Sequence, residues 1–233
     1  MEKDTKIAAK KRIFDAAVSL FARRGFAAVG IREIAKKAGV NISMINYYFD
    51  GKAGILKEII NGCYDKYYSA ILDTGNEETS LEERVKHLTY NMVKFFRENT
   101  ELAIVAFSTI PVEIPEIIDL KIKWIESKRE ATNKWFKTLG MDANNAPLMC
   151  VIRSFLTSII FGFIESQYCC EHIAQAPAMP IHLQEHFKHD DHAVKMNDAF
   201  YEKYVEILGR VYLHGIMSMS KKKSKKRSKK KRS

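Results

Sequence analysis

Ile31-Arg-Glu-Ile-Ala-Lys-Lys-Ala38, then Gly39-Val40-Asn41, then Ile42-Ser-Met-Ile-Asn-Tyr-Tyr-Phe49 read as a helix, a tight turn and a second short helix. Ile31, Ile34, Ala35 and Ala38 share one face at helical spacing, and Ile45, Tyr48 and Phe49 share another. Gly39 tolerates the positive φ that a sharp corner needs. Ala35 and Ala38 are small enough to let two short helices cross closely. Asp50-Gly51-Lys52 is a turn signal that closes the unit. The outward face of the second helix holds Ser43, Asn46 and Tyr47. Short polar side chains can bond base edges in a DNA major groove, and a tyrosine hydroxyl can reach a phosphate oxygen. Lys52 can add a point-charge phosphate contact.

Upstream, Ile13, Phe14, Ala17, Leu20 and Phe21 form the stripe of an amphipathic helix over residues 5–24, with Gly25 placed as its left-handed cap. Downstream, helices are predicted over 53–72, 80–98, 101–110, 115–139, 146–171 and 194–218. No alternating run bounded by hairpin turns suggests a strand, so the fold class is all-α. With 46% apolar and 28% charged residues, the 233-residue chain is globular in composition. The net charge of +10 is uneven. Residues 1–52 carry eleven bases and five acids, and residues 53–220 carry seventeen bases and twenty-three acids. Lys221 to Ser233 carries ten bases and no acid. Two basic ends around an acidic middle point to a polyanionic partner.

Gly25-Phe26, Ile31 to Val40, Ile45-Asn-Tyr-Tyr-Phe49, and Gly51-Lys52 through Ile55-Leu56 together resemble the DNA-binding domain of the TetR family of transcriptional regulators. The resemblance covers about residues 7–67 and implies a three-helix helix-turn-helix domain. A helical ligand-binding and dimerisation domain then follows over 68–220, and the basic tail 221–233 is expected to be disordered. By the same resemblance, Arg32 reaches a base or phosphate, and Ile42, Ser43, Met44 and Asn46 face the groove. Tyr47, Tyr48 and Lys52 clamp the backbone. The sequence departs from the family pattern in three places. Val29-Gly30 replaces the usual hydroxyl residue before the second helix, Asn46 stands where a Tyr is common, and Ala53 replaces an acid.

A short recognition helix reads few base pairs, so a dimer on a palindromic double-stranded DNA site is expected. In 146–171 the apolar residues nearly encircle the helix, and in 194–218 Phe200, Tyr204, Leu208, Val211 and Tyr212 form a stripe. The resemblance implies that these two helices build a four-helix homodimer bundle. It also implies an apolar cavity for an unidentified small-molecule effector, with Phe95, Phe96, Phe107 and Trp124 named as its lining, and a repressor released by that effector.

Other readings are an architectural DNA-binding protein using both basic ends, and a redox or metal-dependent enzyme with an incidental helix-turn-helix. The enzyme reading lacks support, for there is no phosphate loop, Cys-x-x-Cys, His-Glu-x-x-His or Gly-x-Ser-x-Gly. Cys63 and the adjacent Cys169 and Cys170 are read as inert thiols. His172, His182, His186, His189 and His192 are read as a solvated loop without metal, and no cofactor is expected. Met1 to Lys6 lacks the apolar core of a signal peptide. Leu148 to Ile164 is interrupted by Arg153, Ser154, Thr157 and Ser158, which argues against a membrane span. With only four cysteines, a cytoplasmic location is expected.

Overall fold

The computed structural model describes residues 2–72, 79–108, 114–138, 141–142, 144–173 and 197–230. In chain order the helices are α1 (Glu2–Arg24), α2 (Ile31–Ala38), α3 (Ile42–Phe49), α4 (Gly51–Leu72), α5 (Leu81–Glu98) and α6 (Thr100–Ala103). A π-helical segment, Ile104–Ser108, continues α6. Then follow α7 (Pro115–Ser127), α8 (Arg129–Thr138), α9 (Ala146–Ile173) and α10 (Asp198–Lys230). Among the described residues there is no strand, and no helix is long and apolar enough to cross a membrane.

The chain forms two compact units, each discontinuous in sequence. One comprises Met1–Tyr68 with Glu98–Lys128, the other Ser69–Arg97 with Arg129–Ser233. Residues 98–128 fold with the N-terminal helices.

In the first unit the core is built from α1 to α4. Ile13, Ala17, Phe21, Ile34, Ile45, Ile55, Leu56, Ile59 and Ile60 are all buried. Ile13, Ala17 and Phe21 are the inner edge of the stripe read from sequence, whereas Phe14 and Leu20 are half-buried at its margin. The last turn of α1 packs against α6, and Arg23 Nε pairs with Glu101 at 3.5 Å. A second apolar layer joins α4 to α6–α7. Tyr64 packs on Phe107 (5.3 Å between ring centroids) and on Trp124 (6.3 Å), and the Trp124 indole N–H donates to Asn61 Oδ1 at 2.7 Å.

In the second unit α10 runs antiparallel to both α5 and α9. Against α5, Arg97 meets Asp198 at 3.0 Å and lies 3.8 Å from the Tyr201 ring, while Gly209 packs beside Thr89. Against α9, the Phe163 ring stacks on Tyr204 at 4.9 Å, and Tyr212 donates to the Phe155 carbonyl at 3.3 Å.

Three boundaries differ from the sequence reading. The predicted helix 115–139 is broken at Lys128, whose ψ of 0° leaves the helical region; no sequence feature marks the break. The helix expected over 101–110 changes to π geometry at Ile104. The last helix does not stop at 218 but continues to Lys230. Lys and Arg are good helix formers, and the segment after Gly215 contains neither Gly nor Pro.

Candidate nucleic-acid interface

The second and third helices are held by caps that the sequence specifies. The C-cap Gly39 has φ 64°, and the Val40 N–H reaches back to the Ala35 carbonyl at 3.1 Å, the bond that ends a helix on a left-handed residue. Arg12 Nε donates to the Ala38 carbonyl at 3.1 Å, which ties α1 to the same corner. Asn41 caps α3, its Oδ1 accepting the Ser43 N–H at 3.1 Å.

At the start of α2, Gly30 supplies no side chain, and Glu33 takes over part of the capping. Its carboxylate accepts the Gly30 N–H at 2.9 Å and pairs with Arg24 at 2.5 Å. The backbone N–H of Gly30 and the Arg24 guanidinium hold the Glu33 carboxyl below the ordinary glutamate range.

The end of α3 is fixed by a close backbone crossing. Asp50 has φ 55° and its N–H bonds the Asn46 carbonyl at 3.0 Å. The chain then turns through Gly51 into α4, and a Cβ at Gly54 would stand 1.5 Å from the Phe49 carbonyl oxygen. Only a glycine lets α4 cross there. Ile45 and Phe49 point inward and are buried, so α3 presents one defined face to solvent.

That face carries Ser43, Asn46 and Tyr47 at i, i+3 and i+4, all exposed; Tyr47 is 76% exposed. The eight residues of α3 contain no charged side chain. Ile42, Met44 and Tyr48 are half-buried at its margins. The Tyr48 ring packs edge-on against Tyr47 at 5.0 Å, which restrains the exposed ring. Arg32 is exposed on α2, and Lys36 lies one turn further along the same helix, also exposed. The sequence reading did not single out Lys36, although the i, i+4 spacing from Arg32 was the available signal.

Lys52 stands apart from this set. Its ammonium donates to the carbonyls of Phe26 at 2.7 Å and Val29 at 2.8 Å, and lies 4.1 Å from the Phe26 ring centroid. These bonds tie the start of α4 to the loop that leads into α2.

Phe107 and Trp124 are half-buried in the first unit, around Tyr64. Phe95 and Phe96 belong to the second unit and are core, with 4% and 0% exposure. Cys63 is fully buried, and burial pushes its thiol up to about 12, which supports an inert role. His182, His186, His189 and His192 lie outside the described residues. Among the described residues no three or more His, Cys, Asp or Glu side chains gather as a metal site.

Residues 13–59 match the family model described as bacterial regulatory proteins, tetR family. The chain is similar to the probable HTH-type transcriptional regulator YttP of Bacillus subtilis, with 26% identity over 193 residues, 78% of this chain and 90% of that protein. It is also similar to the biofilm operon icaADBC HTH-type negative transcriptional regulator IcaR of Staphylococcus aureus. There the identity is 23% over 104 residues, 45% of this chain and 56% of that one. Among solved structures, a bacterial regulatory protein in the tetR family from Rhodococcus RHA1 shares the fold. Its TM-score is 0.55 at 18% identity, covering 87% of this chain and 95% of that chain.

Proposed function

We propose that this chain, a DNA-binding transcriptional regulator by its TetR-type module at residues 13–59 and not an enzyme, represses transcription from a palindromic operator. The observation that carries the reading is the uncharged face of Ser43, Asn46 and Tyr47 on a helix whose other side is locked by Ile45 and Phe49. Such a face reads bases by hydrogen bonds and leaves charge neutralisation to its surroundings, here Arg32 and Lys36. The likeness to a negative regulator, IcaR, supports repression over activation.

Two recognition helices are needed for a site of useful length, and a dimer places them one DNA turn apart or a multiple. A second copy of the chain covers the exposed apolar residues of α9 and α10, namely Val151, Phe155, Ile207 and Val211. Release follows from an effector that binds the conformation with misplaced recognition helices more tightly. Phe107 and Trp124 are the aromatic residues proposed to meet it. They belong to the same compact unit as α1–α3, and the Arg23–Glu101 pair joins the end of α1 to α6. Displacement of 98–108 would therefore be felt at α1.

Selection of bound fragments from genomic DNA, followed by footprinting, tests the proposal. The expected result is a protected inverted repeat upstream of a gene whose transcription rises when the regulator is deleted. Protection without any preferred sequence would favour the architectural reading instead.

A further inference from the structure

We infer that the C-terminal part of α10 is a second, sequence-independent contact for the phosphate backbone of duplex DNA. The inference rests on the reading of the chain as a DNA-binding regulator, and it assigns a role to the part of α10 that the N-terminal module leaves unused. From Ile207 to Ser233 there is no Asp or Glu. Residues 221–230 hold eight Lys and Arg, and helical geometry spreads them over about 15 Å, or one charge per about 1.9 Å. Duplex DNA carries one phosphate per about 1.7 Å of its axis. The two linear charge densities match closely.

The register adds to this. Ser220, Ser224 and Ser228 recur every fourth residue in the sequence, and Lys or Arg fills all the remaining positions from 221 to 230. No apolar residue follows Met219. A helix that lies in a membrane interface needs an apolar face, and this segment has none. A helix of like charges repels itself at i, i+3 and i+4 spacing. A polyanion that neutralises those charges therefore favours the helical form. The helix continues about 27 Å beyond Tyr212, the last buried residue described in it. Removing the tail thus leaves the packed part of α10 in place.

The test compares three proteins: the full chain, a chain ending at Ser220, and a full-length variant with the ten Lys and Arg of 221–232 replaced by Gln. Gln keeps the helix propensity and removes the charge. Affinity is measured by fluorescence anisotropy between about 50 and 200 mM salt, for random duplex and for a genomically selected fragment. With four phosphates engaged per chain, the full-length slope of log affinity against log salt is steeper by about 3.6. Over this fourfold salt range, the full chain therefore loses about a hundred-fold more affinity than either variant. The ratio of selected to random affinity stays the same in all three. Identical slopes would overturn the inference. So would tighter DNA binding after truncation, which would place the tail on the acidic middle of its own chain. Tail-dependent binding to phosphatidylglycerol vesicles with an unchanged DNA slope would overturn it in favour of a membrane surface. A full chain that prefers no genomic fragment would refute the regulator reading alone, because the slopes on random duplex still report on the tail.

Discussion

The ammonium of Lys52 lies 2.8 Å from the carbonyl oxygen of Val29, the residue before the N-cap of α2. A second bond, to Phe26, makes Lys52 the clamp that joins the start of α4 to the loop entering the helix-turn-helix. Its charge is used within the fold, on backbone acceptors that the loop would otherwise leave to water.

Lys52→Met should therefore lower stability by roughly 1.5–3 kcal/mol, the range for hydrogen bonds that involve a charged group. Urea unfolding measures this. The salt dependence of DNA affinity should be unchanged. A phosphate contact would instead flatten the slope by about 0.9 on substitution, with little effect on stability.

Gly54 makes a sharper demand. An alanine there would drive its methyl to 1.5 Å from the Phe49 carbonyl oxygen, and the obstacle is backbone that cannot rotate away. Gly54→Ala should cost at least about 2 kcal/mol by overpacking and loosen the end of α3. Thermal unfolding should show a clear loss, whereas Gly62→Ala on the same helix, where nothing lies within 4 Å, should be neutral or stabilising. Equal melting temperatures for the two variants would refute the close crossing.

The helix-turn-helix was legible because its signals are local. The periodic apolar positions and Gly39 at the corner lie within a few residues of what they control. The role of Lys52 was not legible, since its acceptors lie 23 and 26 residues earlier in sequence. Gly54 carried a partial signal, as a glycine inside a helical pattern often marks a close approach, but the identity of the neighbour comes only from the fold. The association of 98–128 with the N-terminal helices is likewise a tertiary fact, built on contacts such as Tyr64 with Phe107. The continuation of α10 into the tail could have been read from propensity. By composition alone the tail reads as disordered, because it has no apolar surface to bury.

On the exposed face of α3 the three side chains should separate by role. Tyr47→Ala should weaken binding to every sequence, because a backbone contact carries little sequence information. Asn46→Ala and Ser43→Ala should relax base preference, by roughly 1–3 kcal/mol where a bidentate pair is lost. Selection on randomised half-sites reads the difference. Wild-type affinity and preference in all three variants would remove α3 from the interface.

Cys63 and Cys150 should differ in reactivity. Cys63 is buried and its thiol is raised from near 9 to about 12, with desolvation the main cause; Cys150 is exposed. Because the folded state favours the neutral thiol, the resulting stability is complete below pH 9 and is lost as pH rises from about 9 to about 12. At pH 8 a thiol reagent should label Cys150 and spare Cys63, as read by peptide mass spectrometry. Labelling of Cys63 should appear on unfolding or at strongly alkaline pH. Rapid labelling at pH 8 would show that the thiol is accessible and that a redox role is open to it.

The dimer should depend on residues that the single chain leaves uncovered. Ile160 is fully buried in α9, so Ile160→Glu would place a carboxylate in the core and destabilise the fold itself, whatever the oligomeric state. Val151 and Val211 are 57% and 47% exposed, and a glutamate at either position can stay in water in the isolated chain. In a dimer packed through α9 and α10, the same glutamates would be desolvated against apolar partners at a cost of several kcal/mol. Two-fold symmetry applies each substitution twice. Val151→Glu/Val211→Glu should therefore sediment as a folded monomer at micromolar concentration with its helical circular dichroism retained, while the wild type sediments as a dimer. The variant should lose most of its operator affinity and keep weak binding to single half-sites, because each chain still carries an intact α3. A wild-type monomer under these conditions, or a double variant that remains dimeric, would show that the second copy does not sit on this face.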